Sequence, residues 1–210
     1  MASSNRNGTK TAPTEAASVA DDAMRRVEEL QDEITRLNDK IADQNRQIRD
    51  LRRETIRDSL TGLLNRRGFQ RVVDRTLDFV RRYDSPVALI FIDMDAFKII
   101  NDTHGHASGD EVLCHVAKVI RATLRSSDVV GRIGGDEFVA LLWKADEKNA
   151  RETAVRVTEA LIAAPAQHDG MEIAISASVG VATLVAEDDV DAVLDRADRD
   201  MYRAKSLAAQ

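Results

Sequence analysis

Cysteine is almost missing from this chain. Cys114 stands alone among 210 residues, so no disulfide can form within it. A lone cysteine in an apolar helical pattern reads as a small buried hydrophobe, and the chain suits a reducing compartment. Long apolar runs are also lacking. None approaches the roughly 20 residues of a membrane span. The opening Met1-Ala-Ser-Ser-Asn-Arg-Asn-Gly has no hydrophobic stretch of the secretory kind. The expectation is a soluble cytoplasmic protein without membrane insertion. An excess of positive charge is missing as well. With a net charge of -6, the chain lacks the basic surface that neutralises nucleic-acid phosphates, so nucleic acid is not expected as a partner. Neither G-x-G-x-x-G nor G-x-x-x-x-G-K-[ST] occurs, which leaves dinucleotide and P-loop folds unsupported.

What is present divides into three parts. Residues 1–20 are rich in Ser, Thr, Ala, Asn and Gly, and read as a disordered tail. Residues 21–57 carry a helical pattern. With Val27 at heptad position a, Val27, Ile34, Ile41 and Ile48 occupy a, and Leu30, Leu37, Gln44 and Leu51 occupy d. β-branched residues at a with Leu at d favour a parallel two-stranded coiled coil. The seam is narrower than the apolar face of an ordinary surface helix. Gln44 interrupts it and is suited to fixing register. Thr55 and Asp58 at the next seam positions end it.

Residues 58–210 read as one domain. Asp58 and Asn65 are cap residues around a turn at Gly62. A helix with Phe69, Val72, Val73, Leu77 and Val80 inward ends before Asp84-Ser85-Pro86. Val87–Ile92 is a continuous apolar run and reads as a buried strand. Alternation then places Asp93 and Asp95 on one side and Met94 on the other. A carboxylate at the end of such a strand can present hard oxygen to a divalent cation, and Asp95 can also cap the helix that follows. Residues 98–110 read as a polar connection. His104 and His106 within it read as structural or surface residues, with no cysteine nearby to complete a metal set. A helix follows, with Val112, Leu113, Val116, Val119, Ile120 and Leu124 inward. Two β-prone runs flank Gly134-Gly135-Asp136-Glu137, and adjacent glycines supply the positive φ angles of a tight hairpin. The tip is suited to a metal–phosphate group or is an ordinary solvated turn. Helices over 147–164 and 190–204 enclose one strand over 171–184. The order helix, strand, helix, hairpin, helix, strand, helix predicts a mixed α/β (α+β) fold, with helices packed on a sheet in the manner of a ferredoxin-like βαββαβ unit.

Four stretches, in order, resemble motifs of the GGDEF-domain diguanylate cyclase family. Asp58–Arg67 follows D-x-L-T-G-L-x-N-R-R, and Phe91–Phe97 contains D-x-D-x-F. Asn101–Asp110 follows N-D-x-x-G-H-x-x-G-D, and Gly134–Phe138 is the signature pentapeptide. The resemblance covers about residues 58–205. It implies a palm-like fold and condensation of two GTP into cyclic di-GMP with release of two pyrophosphates. Each domain would bind one GTP, so two domains must meet as a homodimer. It implies a catalytic turn of Gly134, Gly135, Asp136 and Glu137 working with Asp93. Mg²⁺ or Mn²⁺ would be held by Asp93 and Asp136, with Met94 and Glu137 as further positions, and Glu137 is also a candidate general base. Paired cations offset the charge that accumulates on the phosphates.

The resemblance further assigns guanine reading to Asn101 and Asp110. A carboxylate accepts from both N1–H and the 2-amino group of guanine, which adenine does not offer. Lys98 and Lys205 fall on phosphate contacts, and the backbone N–H groups of Ala96 and Phe97 would face phosphate at a helix start. Arg125-Ser126-Ser127-Asp128 resembles the R-x-x-D inhibitory product site, with Arg156 as a secondary contact from another domain. One departure stands out. The family follows its last Ala-Lys with a Gly-Arg-Asn segment, whereas Ala204-Lys205 is followed by Ser206-Leu207-Ala208-Ala209-Gln210, so the Arg to which the resemblance assigns a triphosphate contact is absent from that position. Two other readings are a non-catalytic nucleotide receptor and a coiled-coil scaffold. The retained Asp93, Asp136 and Glu137 argue against the first, and the guanine-reading pattern is unexplained by the second.

Overall fold

The computed structural model describes residues 15–54 and 56–208. Residues 1–14, most of the stretch expected as a tail, lie outside the described residues. Two units are distinct, residues 1–54 and 55–210.

The described residues of the first unit form helix α1 (Glu15–Glu54), which begins inside the stretch read as tail. No Pro or Gly interrupts it. Val27, Leu30, Ile34, Leu37 and Ile41 are each 49–58% exposed, so the apolar seam is uncovered. The side chains of Ile48 and Leu51 lie outside the described residues.

The second unit begins with α2 (Arg66–Tyr83). Its N-cap, Asn65, accepts a 2.9 Å hydrogen bond from the Gly68 N–H. Strand β1 (Val87–Met94) follows. Helices α3 (Phe97–His104) and α4 (His106–Thr123) replace the expected polar connection, parted by Gly105 at φ 84°. No residue of α3 is buried, so it leaves no apolar periodicity to read. Strands β2 (Val129–Arg132) and β3 (Glu137–Trp143) form the expected hairpin. Helix α5 (Glu147–Ala163) is capped by Asp146.

Next comes an unexpected small hairpin of β4 (Ala166–His168) and β5 (Met171–Ile173). Its turn is Asp169-Gly170, both at positive φ (49° and 78°), the dipeptide that tight hairpins favour. The strand expected over 171–184 is therefore two pieces. Only β6 (Ala177–Thr183) joins the main sheet. Helix α6 (Val190–Ala208) ends the unit.

The main sheet has the order β2-β3-β1-β6 with antiparallel neighbours throughout. This is the ferredoxin-like arrangement, with β1 inside. Alternation along β1 feeds two apolar layers. Ala88, Ile90, Ile92 and Met94 pack with α4 and α5, while Val87, Leu89 and Phe91 pack with α2 and α6. Asp93 is the next residue on the α6 side. Gly180 lets α6 lie close on β6, since a Cβ there would collide with the Ala197 carbonyl and the Met201 amide. At the outer strand β6, the Asp200 carboxylate accepts a 2.9 Å hydrogen bond from Val181 N–H.

Candidate active site

Asp93 sits opposite Glu137 on β3 and opposite Ser178 on β6, so the three side chains share one side of the sheet. The hairpin tip is locked to the same strand end, because Met94 N–H donates to the Asp136 carbonyl at 3.2 Å. From α6, Lys205 Nζ reaches Asp93 Oδ1 at 2.6 Å and Asp95 Oδ1 at 3.6 Å. The carboxylates raise the Lys205 pKa, mainly through the Asp93 hydrogen bond. Asp95 also accepts from Ser178 Oγ at 2.7 Å. Strand alternation thus brings Asp93 and Asp95 together on one cation.

Glu137 is partly buried, with Arg66 Nη2 at 4.0 Å from its Oε2. Burial pushes its carboxyl above the usual range. Repulsion from Asp93, Asp136 and Asp198 adds to this, and Arg66 opposes it.

Among the described residues, no group of three or more His, Cys, Asp or Glu side chains is assembled as a metal site. The donor chemistry nevertheless fits a hard dication. Asp93 and Asp136 offer carboxylate oxygen, and the ammonium of Lys205 stands where Asp93 binds positive charge. Met94 is 2% exposed, and its side chain belongs to the apolar layer on the opposite side of the sheet from Asp93.

The glycines of the tip act through space. Neither is among the positive-φ glycines, which are Gly62, Gly105 and Gly170 among the described residues. The sequence-based reason for them is corrected accordingly. A Cβ on Gly134 would overlap the Glu137 carboxylate, and Gly135 faces open space.

Arg132, which the motifs did not single out, fixes this tip. Its Nε and Nη2 donate to the Gly135 carbonyl at 3.1 and 2.7 Å, and its Nη1 donates to Asp58 Oδ1 at 3.1 Å. Asp58 also holds the Thr61 amide and hydroxyl. Burial alone would raise the Asp58 pKa, but the bonds from Thr61 and Arg132 outweigh it and hold the carboxyl below its ordinary value. Arg66 Nε adds a bond to the Ile133 carbonyl at 3.2 Å. The loop before α2 and the β2–β3 turn are therefore one construction. A basic residue two places ahead of the glycine pair was the available signal.

The base-reading residues lie on the helices α3 and α4. Asn101 packs on Gly109, where a Cβ would overlap its side-chain carbonyl. Asp110 and Leu60 line one cavity of about 370 Å³, with Cys114 and Lys118 beside them. Ala96 caps α3 in the left-handed region (φ 55°) and makes no side-chain capping hydrogen bond. Lys98 is exposed on the same turn.

Arg125, Asp128 and Arg156 meet in a separate pocket of about 90 Å³ with Trp143, Lys144 and Asn149. Arg156 thus lines the same pocket as Arg125 and Asp128 of its own chain. Asp128 is 5% exposed. Its carboxylate accepts from the Arg125 amide at 3.1 Å and the Trp143 amide at 3.3 Å, so it shapes the turn while the arginines face outward.

Residues 55–209 match the family described as diguanylate cyclase, GGDEF domain. The diguanylate cyclase DosC of Escherichia coli is 38% identical over 155 residues, covering 73% of this chain and 34% of the relative. The chain thus spans about a third of that protein. The GGDEF domain of TpbB from Pseudomonas aeruginosa superimposes with a TM-score of 0.67 at 40% identity, over 72% of this chain and 89% of that one. The coiled coil and GGDEF domain of DgcB from Caulobacter crescentus, solved with cyclic di-GMP, matches with a TM-score of 0.68 at 25% identity, over 84% of this chain and 94% of that one.

Proposed function

Because the chain belongs to the GGDEF-domain diguanylate cyclase family, we propose that it condenses two GTP into cyclic di-GMP and two pyrophosphates, acting as a homodimer. The observation that carries this reading is the meeting of Asp93, Glu137 and Lys205 at the end of β1, beside the locked turn that holds Asp136.

Each group has a task in the proposal. Asp110 and Asn101 read guanine, and Leu60 supplies apolar surface beside the base. Lys98, the N–H groups of Phe97 and Lys98 at the start of α3, and Lys205 take the triphosphate. Lys205 exchanges Asp93 for phosphate when substrate arrives. Mg²⁺ or Mn²⁺, held by Asp93 and Asp136 with the Met94 carbonyl and Glu137, would supply charge neutralisation at the phosphates and activation of the 3′-hydroxyl. Burial and the neighbouring carboxylates raise the Glu137 pKa, which makes it a stronger proton acceptor than an ordinary carboxylate. Arg66 and Arg132 hold Glu137 and the tip in place. One domain holds one GTP, so turnover needs two. The uncovered seam of α1 supports pairing as a coiled coil, which raises the effective concentration of one half-site near the other. The Arg125–Arg156 pocket supports feedback inhibition by product, since guanidinium groups grip phosphate and guanine edges bidentately.

The test is incubation of the purified protein with GTP and Mg²⁺, followed by chromatography of the nucleotides, with a phosphodiesterase present to remove product and relieve inhibition. Cyclic di-GMP or its linear hydrolysis product is expected. Tight GTP binding with neither product would overturn the enzyme reading in favour of a nucleotide receptor.

A further inference from the structure

Among the described residues, four that are not glycine adopt left-handed backbone angles: Asp84, Ala96, Lys144 and Asp169. Two are aspartates, which tolerate this region because their short side chains bond locally. Ala96 and Lys144 have no such help. Ala96 lies at the start of α3, where phosphate is proposed to bind. Lys144 lies on the rim of the arginine pocket, at φ 52°. Strain of this kind persists where surrounding structure imposes it, and it concentrates at binding sites. Here the restraint is visible. Trp143 N–H is held by the Asp128 carboxylate on one side of Lys144, and Ala145 N–H by the Pro86 carbonyl on the other. Lys144 is thereby turned out of the strand line and takes its place in the pocket lining.

Resting on the product-site reading above, we propose that Lys144 is a third cationic arm of that site, contacting a phosphodiester of cyclic di-GMP alongside Arg125 and Arg156. The charges favour it. Three cations line the pocket, and its single carboxylate, Asp128, is already taken up by two backbone amides. The size favours it too. About 90 Å³ is well below the roughly 300 Å³ at which pockets begin to enclose a whole ligand, so the pocket admits a charged part of a dinucleotide. Arg125 and Arg156 present forked donors suited to guanine edges or phosphate. Lys144 adds a point charge, which suits a phosphodiester oxygen.

Lys144→Asn removes the charge while keeping a residue tolerant of the left-handed region, and Lys144→Arg keeps the charge. Inhibition of initial rates by added cyclic di-GMP is measured for both, with calorimetric titration of the same nucleotide as a readout independent of turnover. Lys144→Asn is expected to raise the half-inhibitory concentration and the Kd about tenfold, the loss of one charge-assisted contact. Lys144→Arg stays within about threefold of wild type. Uninhibited initial rates are unchanged in both. Wild-type inhibition of Lys144→Asn, in an assay where Arg125→Ala has lost it, would overturn the assignment of Lys144 alone. Absence of cyclic di-GMP binding in the wild-type protein, or full inhibition of Arg125→Ala, would overturn the product site itself and this inference with it.

Discussion

At the scale of single residues, the proposed site consists of carboxylates paired with the protein's own cations until substrate rearranges them. Asp93 has one cation, Lys205, and would exchange it for another. Asp93→Asn or Asp136→Asn should lower cyclic di-GMP formation by at least about a thousandfold, as loss of a group acting mainly on the transition state does, with guanine binding retained. Nucleotide binding and turnover measured side by side check this. A residue that touches no substrate in the proposal should matter nearly as much. Arg132 and Asp58 are both largely buried, with side chains 13% and 21% exposed. Arg132→Ala leaves the Asp58 charge without its partner and the Gly135 carbonyl without its donors. The expected loss is about 2–3 kcal/mol of stability, together with a fall in kcat exceeding any change in GTP affinity. A variant with wild-type kcat and melting temperature would show that the tip holds itself.

At the scale of elements, helix α6 carries Lys205 to the end of β1 only because Gly180 lets it lie flat on β6. Gly180→Ala should lift α6, costing about 1–3 kcal/mol for overpacking and lowering activity by displacing Lys205. Thermal melts and initial rates test both parts. Helix α1 gives a separate prediction. Ile41→Pro breaks a helix interior, at about 3 kcal/mol or more. It should yield monomers by light scattering, with a specific activity that rises steeply with protein concentration; a variant that stays dimeric and equally active would refute the role given to the coil. The elements also show what could be read from the sequence. α2, β1, α4 and the β2–β3 hairpin were legible because each buries an apolar run of the right period. α3 was not, since nothing on it is buried. The β4–β5 hairpin was marked only by Asp169-Gly170 inside an apparently continuous strand. At the site, Asp93, Asp136 and Glu137 were legible from motif spacing. Arg132, Arg66 and Leu60 were not, because their roles depend on long-range contacts to Asp58, Glu137 and the cavity of Asp110. The glycine pair was noticed, but for conformational freedom where the fold needs room.

For the molecule as a whole, acid should be the weak condition. Asp58, Asp188 and Asp200 are all held below their ordinary pKa of 3.8. In each, burial acts against the charge and hydrogen bonds outweigh it, from Arg196 and Val185 for Asp188 and from Arg151 and Val181 for Asp200. A carboxylate with a depressed folded pKa gives its full stabilisation above the unfolded value and loses it as pH falls through the folded one. Melting temperature should therefore hold above about pH 5 and drop steeply below about pH 4. Asp188→Asn, which leaves Arg196 without its 2.7 Å partner, should cost about 2 kcal/mol near neutral pH and progressively less toward pH 3. The bond that Val181 N–H donates to Asp200 has another consequence. An outer strand with free amides is a template on which a second chain can add itself, and addition at such edges starts aggregates. A protein proposed to work by meeting its own copy would face that hazard at every encounter. With the Val181 amide stoppered by a carboxylate from its own helix, β6 is a poor seed, and Asp200→Ala should turn cloudy on concentration well before the fold itself fails.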